Sequence, residues 1–105
     1  MKLMSVALVL AFAGGCAVAV AGEKSISQKG RAFSESAVTV KKGETLVFVN
    51  DDTIAHNIMS TSAGNEFNLG SQSPGASSNV TLNNAGEVTV LCAIHPRMKM
   101  SVTVE

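Results

Sequence analysis

Glu87-Val88-Thr89-Val90-Leu91-Cys92-Ala93-Ile94-His95-Pro96-Arg97-Met98-Lys99-Met100-Ser101-Val102-Thr103-Val104 is the stretch whose reading decides the fold. Val88, Val90 and Cys92 share one parity at its start, and Met100, Val102 and Val104 share one at its end. That is the two-residue period of strands with one buried face. Pro96 resists regular structure between them, so the stretch reads as two strands, 87–92 and 100–104, joined by a tight loop. The parity that buries the valines also points Cys92 inward, at the rim of the core. Met100 then reads as core filling, whereas Met98, still in the loop, is freer to aim elsewhere.

Working outward, the same punctuation recurs: short apolar runs broken by Gly, Asn, Asp and Ser, with no trustworthy window of helical spacing. Ala37-Val38-Thr39-Val40 is a strand, 41–44 a turn, and Thr45-Leu46-Val47-Phe48-Val49-Asn50 a nearly continuous apolar strand. Residues 24–29 read as a polar edge strand and 30–36 as a connection around Phe33. Asn50-Asp51-Asp52 breaks the chain, and a strand over 54–59 sets His56 on the face of Ile54 and Ile58, looking inward. Residues 60–77 are irregular apart from a short strand near Phe67-Asn68-Leu69, and 79–82 is another strand. Seven or eight short antiparallel strands predict an all-β, two-sheet Greek-key β-sandwich. An immunoglobulin domain in its usual form is excluded, because the chain has no tryptophan.

The 105 residues allow one domain. Lys2, the apolar run 3–13 and Ala19-Val20-Ala21 before Gly22 have the pattern of an export signal, giving a cleaved segment 1–21, a domain 22–105 and a periplasmic location. A lipid anchor at Cys16, or retention of 3–21 as a membrane span, are the alternatives. Cleavage after Ala21 leaves Cys92 as an unpaired thiol in an oxidising compartment, which metal ligation explains economically. From Gly22 onward there are seven basic and eight acidic residues, so no basic footprint for nucleic acid exists. Phe is the only aromatic type, which removes base-stacking platforms as well.

Cys92, His95 and Met98 can line one side of the loop, and His56 arrives inward from a distant strand. A thiolate, two imidazoles and a thioether make the His₂Cys set with a weak axial Met of a type 1 copper centre. From about Phe33 onward the chain resembles the cupredoxins, close to the amicyanin and plastocyanin group and to small exported methylamine-utilisation-type proteins. The motifs are Gly-Glu-Thr-Leu-Val-Phe-Val-Asn, then His56-Asn57, then Gly-Glu-Val-Thr-Val-Leu-Cys92-Ala-Ile-His95-Pro96-Arg-Met98. The resemblance implies one copper ion held by His56 Nδ1, Cys92 Sγ, His95 Nδ1 and Met98 Sδ. Met100 occupies the axial position of longer-loop relatives, but Pro96 and the short spacing favour Met98. Asn57 resembles the asparagine that ties the two ligand loops together by hydrogen bonds.

A one-electron shuttle follows from that resemblance, with His95 near the surface inside an apolar patch that Ala93, Ile94, Pro96, Met98 and Met59 could build. A periplasmic dehydrogenase or c-type cytochrome is the expected partner, and the protein is expected to be a monomer. Arg97 and Lys99 would bias that partner toward an acidic rim. Copper delivery or storage through Met59, Met98 and Met100 is the alternative. Enzyme activity is not expected, because no carboxylate pair, Ser/His/Asp set or second metal cluster accompanies the site.

Overall fold

The computed structural model describes residues 22–105. The proposed signal segment 1–21, Cys16 included, lies outside them. Nine strands run through the described residues: β1 (Glu23–Lys29), β2 (Ala32–Phe33), β3 (Ala37–Val40), β4 (Thr45–Asn50), β5 (Ile58–Ser60), β6 (Phe67–Asn68), β7 (Ser77–Thr81), β8 (Gly86–Cys92) and β9 (His95–Val104). They form two sheets, a four-stranded one in the order β2-β1-β4-β7 and a five-stranded one in the order β3-β9-β8-β5-β6.

Alternation does what the sequence predicts. Leu46 and Phe48 on β4 and Ile26 on β1 face Val88, Val90 and Cys92 on β8 and Met100, Val102 and Val104 on β9, all buried in one core. Phe33 leans on that core from β2, its ring edge-on to Phe48 at 6.0 Å between centroids.

Three expectations need correcting. The sheets are mixed, not antiparallel, because β1 runs parallel to β4 and β9 parallel to β3. Both parallel pairs join strands separated by a crossover, since a parallel neighbour cannot be reached by a hairpin. β1 is not an edge either, because the turn at Gly30 and Arg31 folds the two-residue β2 back along its open side. Those two residues are too few to register as a strand by alternation. Lastly, β9 begins at His95 and not at Met100, so Pro96 and Met98 lie within the strand.

That last difference positions the site. Cys92 pairs with His95 across a two-residue turn, yet the next pair is Leu91 with Lys99, so residues 96–98 bulge from the ladder. A bulge accommodates Pro96, which has no N–H to give.

Candidate metal centre

Cys92 and His95 are cross-strand partners at a hairpin end, and such partners project to the same face of a sheet. The inward parity of β8 therefore brings both the thiol and the imidazole to one point. His56 reaches that point differently from the sequence expectation. It is not on a strand; it makes an isolated bridge with Gln72, His56 N donating to Gln72 O at 3.1 Å and Gln72 N to His56 O at 2.7 Å. Its side chain is nevertheless fully buried, as predicted.

Cys92 Sγ lies 3.6 Å from His56 Nδ1 and 3.6 Å from His95 Nδ1. The donor atoms of the three residues all fall within 4.8 Å of one another. Donor atoms at such separations could share one ion, whose bonds to nitrogen and sulfur would run about 2.0–2.3 Å. The imidazole rings stand edge to face, their centroids 5.2 Å apart. Cys92 is a free, buried thiol, and the main-chain N–H of Asn57 points at its sulfur from 3.3 Å. An amide aimed at sulfur orients it and shares its charge once a metal has displaced the proton.

Asn57 ties the two ligand segments together, but through its backbone: its carbonyl accepts from Ala93 N at 2.8 Å. Its side chain turns away and donates to Asn68 Oδ1.

Around His56 stand residues that the sequence reading did not single out. Asp52 Oδ2 accepts a hydrogen bond from His56 Nε2–H at 3.0 Å, which fixes the tautomer and leaves Nδ1 for a ligand. The Arg31 main-chain amide donates to the same oxygen at 3.0 Å and is the largest reason that the Asp52 carboxyl sits well below the usual carboxylate range. The His56 ring adds to this, as do the Thr53 and Gly30 amides, against an opposing desolvation. Asn50, fully buried, accepts from Asp52 N and donates to Ile54 O and Gln72 O, holding the 50–56 loop in shape. In sequence, Asn50-Asp51-Asp52 carries only a turn signal. An acidic residue four before a histidine outside any helix gives no periodicity to read.

Met98 and Met100 are both buried on the inner face of β9, while Lys99 between them points outward. Met100 pairs with Val90, deep in the ladder. Met98 lies two residues nearer the turn, inside the bulge between the His95–Cys92 and Lys99–Leu91 pairs.

A sequence profile for copper-binding proteins of the plastocyanin/azurin family matches residues 20–105. The chain belongs to this family. It is 29% identical over 105 residues to methylamine utilization protein MauL of Methylorubrum extorquens, across 99% of this chain and 92% of that one. Amicyanin from Paracoccus versutus superposes with a TM-score of 0.69 at 27% identity, covering 78% of this chain and 80% of that one. A purple cupredoxin from Nitrosopumilus maritimus gives a TM-score of 0.70 at 23% identity over 78% of this chain and 99% of that one, a likeness of fold. Copper is the metal of this cupredoxin: a thiolate beside two imidazoles is its donor set.

Proposed function

We propose that this cupredoxin is a periplasmic blue copper electron carrier, with His56, Cys92 and His95 as strong ligands and Met98 as the weak axial one. The observation that carries the reading is the buried Cys92 Sγ, 3.6 Å from each of two imidazole nitrogens that come from separate segments. Copper bound there supplies a one-electron Cu(II)/Cu(I) couple. The chain contributes rigidity: strand pairing holds Cys92 and His95, and the Gln72 bridge and Asp52 hold His56, so little has to reorganise on electron transfer. His95 is half-buried beside exposed Ile94, and it is the ligand placed to pass the electron.

For Met98 the support is its place one inward position nearer the turn than Met100. The signal-like segment 1–21 and the lone thiol from Gly22 onward support export. The name of the Methylorubrum relative, a methylamine utilization protein, supports a redox protein of amine oxidation as partner, such as a periplasmic dehydrogenase or a c-type cytochrome. The carrier acts as a monomer and catalyses no reaction of its own.

Delivery or storage of Cu(I) would need converging thioethers. Met59 speaks against it, because on β5 the core side belongs to Ile58 and Ser60 and Met59 has the opposite parity.

The test is optical and electrochemical. Addition of Cu(II) should give an intense blue thiolate-to-copper band and reversible one-electron voltammetry, and Cys92→Ser should abolish the band. A colourless protein that binds only Cu(I) would overturn the carrier reading.

A further inference from the structure

Between β6 and β7 the chain runs through Ser71, Gln72, Ser73, Pro74 and Gly75, and of these only Gln72 is buried. Its side-chain amide is bonded to three successive strands of the four-stranded sheet. Gln72 Oε1 accepts from Gln28 Nε2 on β1 at 2.7 Å, and Gln72 Nε2 donates to Phe48 O on β4 at 2.9 Å and to Ser78 Oγ on β7 at 3.3 Å. The main chain of the same residue makes the paired bonds to His56, and its carbonyl also accepts from Asn50 Nδ2.

Gln72 is thus the joint at which His56 is fastened to the four-stranded sheet. Immediately after His56 the chain belongs to the other sheet: Ile58 pairs with Cys92, and Asn57 bonds to Cys92 Sγ and to Ala93. His56 stands where the chain crosses between the two. Asp52 holds only its ring, through an oxygen shared with the amide of Arg31, whose φ of 56° is the one positive value among the described non-glycine residues. Cys92 and His95, by contrast, are carried by paired strands of the five-stranded sheet.

The glutamine pair is unfavourable for stability alone. Both side chains are buried, and Gln28 Oε1 is the one buried side-chain polar atom among the described residues without a hydrogen-bond partner. A buried acceptor left unpaired destabilises the fold, whereas two apolar side chains of similar size would leave none behind. Resting on His56 as a copper ligand, we propose that Gln72, braced by Gln28, is a positioning residue of the copper site: it fixes where the His56 imidazole meets Cys92 and His95. Partners one step outside the ligands orient them and tune the metal they hold.

The test uses Gln72→Leu and Gln28→Leu, alone and together. Gln72→Leu alone orphans the Gln28 amide and should lower the melting temperature; adding Gln28→Leu should return it to the parental value or above, because both partners are then gone. The double variant is therefore a folded protein without the strut. In its metal-free form, hydrogen exchange of the His56 and Gln72 main-chain amides, each bonded to the other's carbonyl, should speed up by about tenfold or more while that of Val90 in β8 stays parental. With copper, Cu(II) affinity in competition with a chelator should fall by about tenfold to a hundredfold. The reduction potential should rise, because Cu(I) accepts fewer ligands than Cu(II) and a loosened imidazole weakens the oxidised form more.

Parental His56 exchange in a stable double variant overturns the assignment. Fast exchange with parental Cu(II) affinity and potential overturns it as well, leaving Gln72 a residue of the fold only. Should the double variant fail to fold, Gln28→Leu decides: it keeps the Gln72 bonds to Phe48 and Ser78 and should speed His56 exchange by less, and unchanged exchange there sinks the proposal. A chain that took up no copper would fail the carrier reading, and His56 exchange would still decide whether Gln72 holds that residue in place.

Discussion

At the scale of single residues, Asp52 couples three features: the tautomer of His56, the unusual backbone of Arg31 and the charge next to the metal. Asp52→Asn keeps the shape and removes the charge. A nearby negative charge favours Cu(II) over Cu(I), so the variant's reduction potential should rise, as read by voltammetry. Acidity gives a second consequence, best followed in the metal-free protein. A carboxyl depressed in the folded state stabilises fully above its unfolded value, and that contribution is lost as pH falls toward the depressed folded value, because the unfolded chain binds the proton first. Thermal melts between neutral and strongly acidic pH should therefore flatten in Asp52→Asn relative to the parent. Equal acid sensitivity in the two proteins would remove Asp52 from this role.

At the scale of elements, the hairpin β8–β9 carries Cys92, His95, a bulge and two inward methionines, and the proposed carrier gives its two thioethers different tasks. Met98→Leu should leave a coloured site with a changed potential. Met100→Leu, against Val90, should leave the potential unchanged and cost less than about 1.5 kcal/mol in urea unfolding, as volume-conserving core exchanges do. If only Met100→Leu moves the potential, the axial assignment passes to Met100. How far such detail is legible in sequence depends on the kind of signal. The directions of Val88, Val90, Cys92, Met100, Val102 and Val104 follow from a period of two, and a strand with one wet face writes that period plainly. The inward aim of His56 was read correctly, although its cause is a bridge to Gln72 and not the strand that its parity suggested. Long-range pairings stayed hidden: nothing local distinguishes a strand that will lie parallel to a distant partner, as β1 lies to β4. Arg31 and Asp52 stayed hidden for the same reason, since each looks like an ordinary turn residue until the two sheets close.

Taken as a whole molecule, the sandwich clamps the ligands between segments far apart in sequence. A metal that binds the folded chain and not the unfolded one must stabilise it. At free copper about a thousandfold above the dissociation constant, linkage gives about 4 kcal/mol, which raises the melting temperature of a domain this size by about 15–30 °C. Chelation should remove that increment, and Cys92→Ser should show little of it in calorimetry. Truncating the core side chain that both sheets share, Phe48→Ala, should cost about 3–5 kcal/mol with or without metal. A parent whose melting point ignored copper would contradict a site built from His56, Cys92 and His95.

The position of β9 bears on how the molecule is made. It follows the other eight described strands in sequence, yet it lies inside its sheet, between β3 and β8, and brings His95 and Met98 with it. A nascent chain that has emerged only as far as β8 holds Cys92 and His56 but lacks the strand that completes the five-stranded sheet. The metal pocket is thus incomplete until β9 has paired between β3 and β8, and loading has to follow closure of the sheet. A chain arrested before β9 would leave its thiol open to oxidation or to the wrong metal.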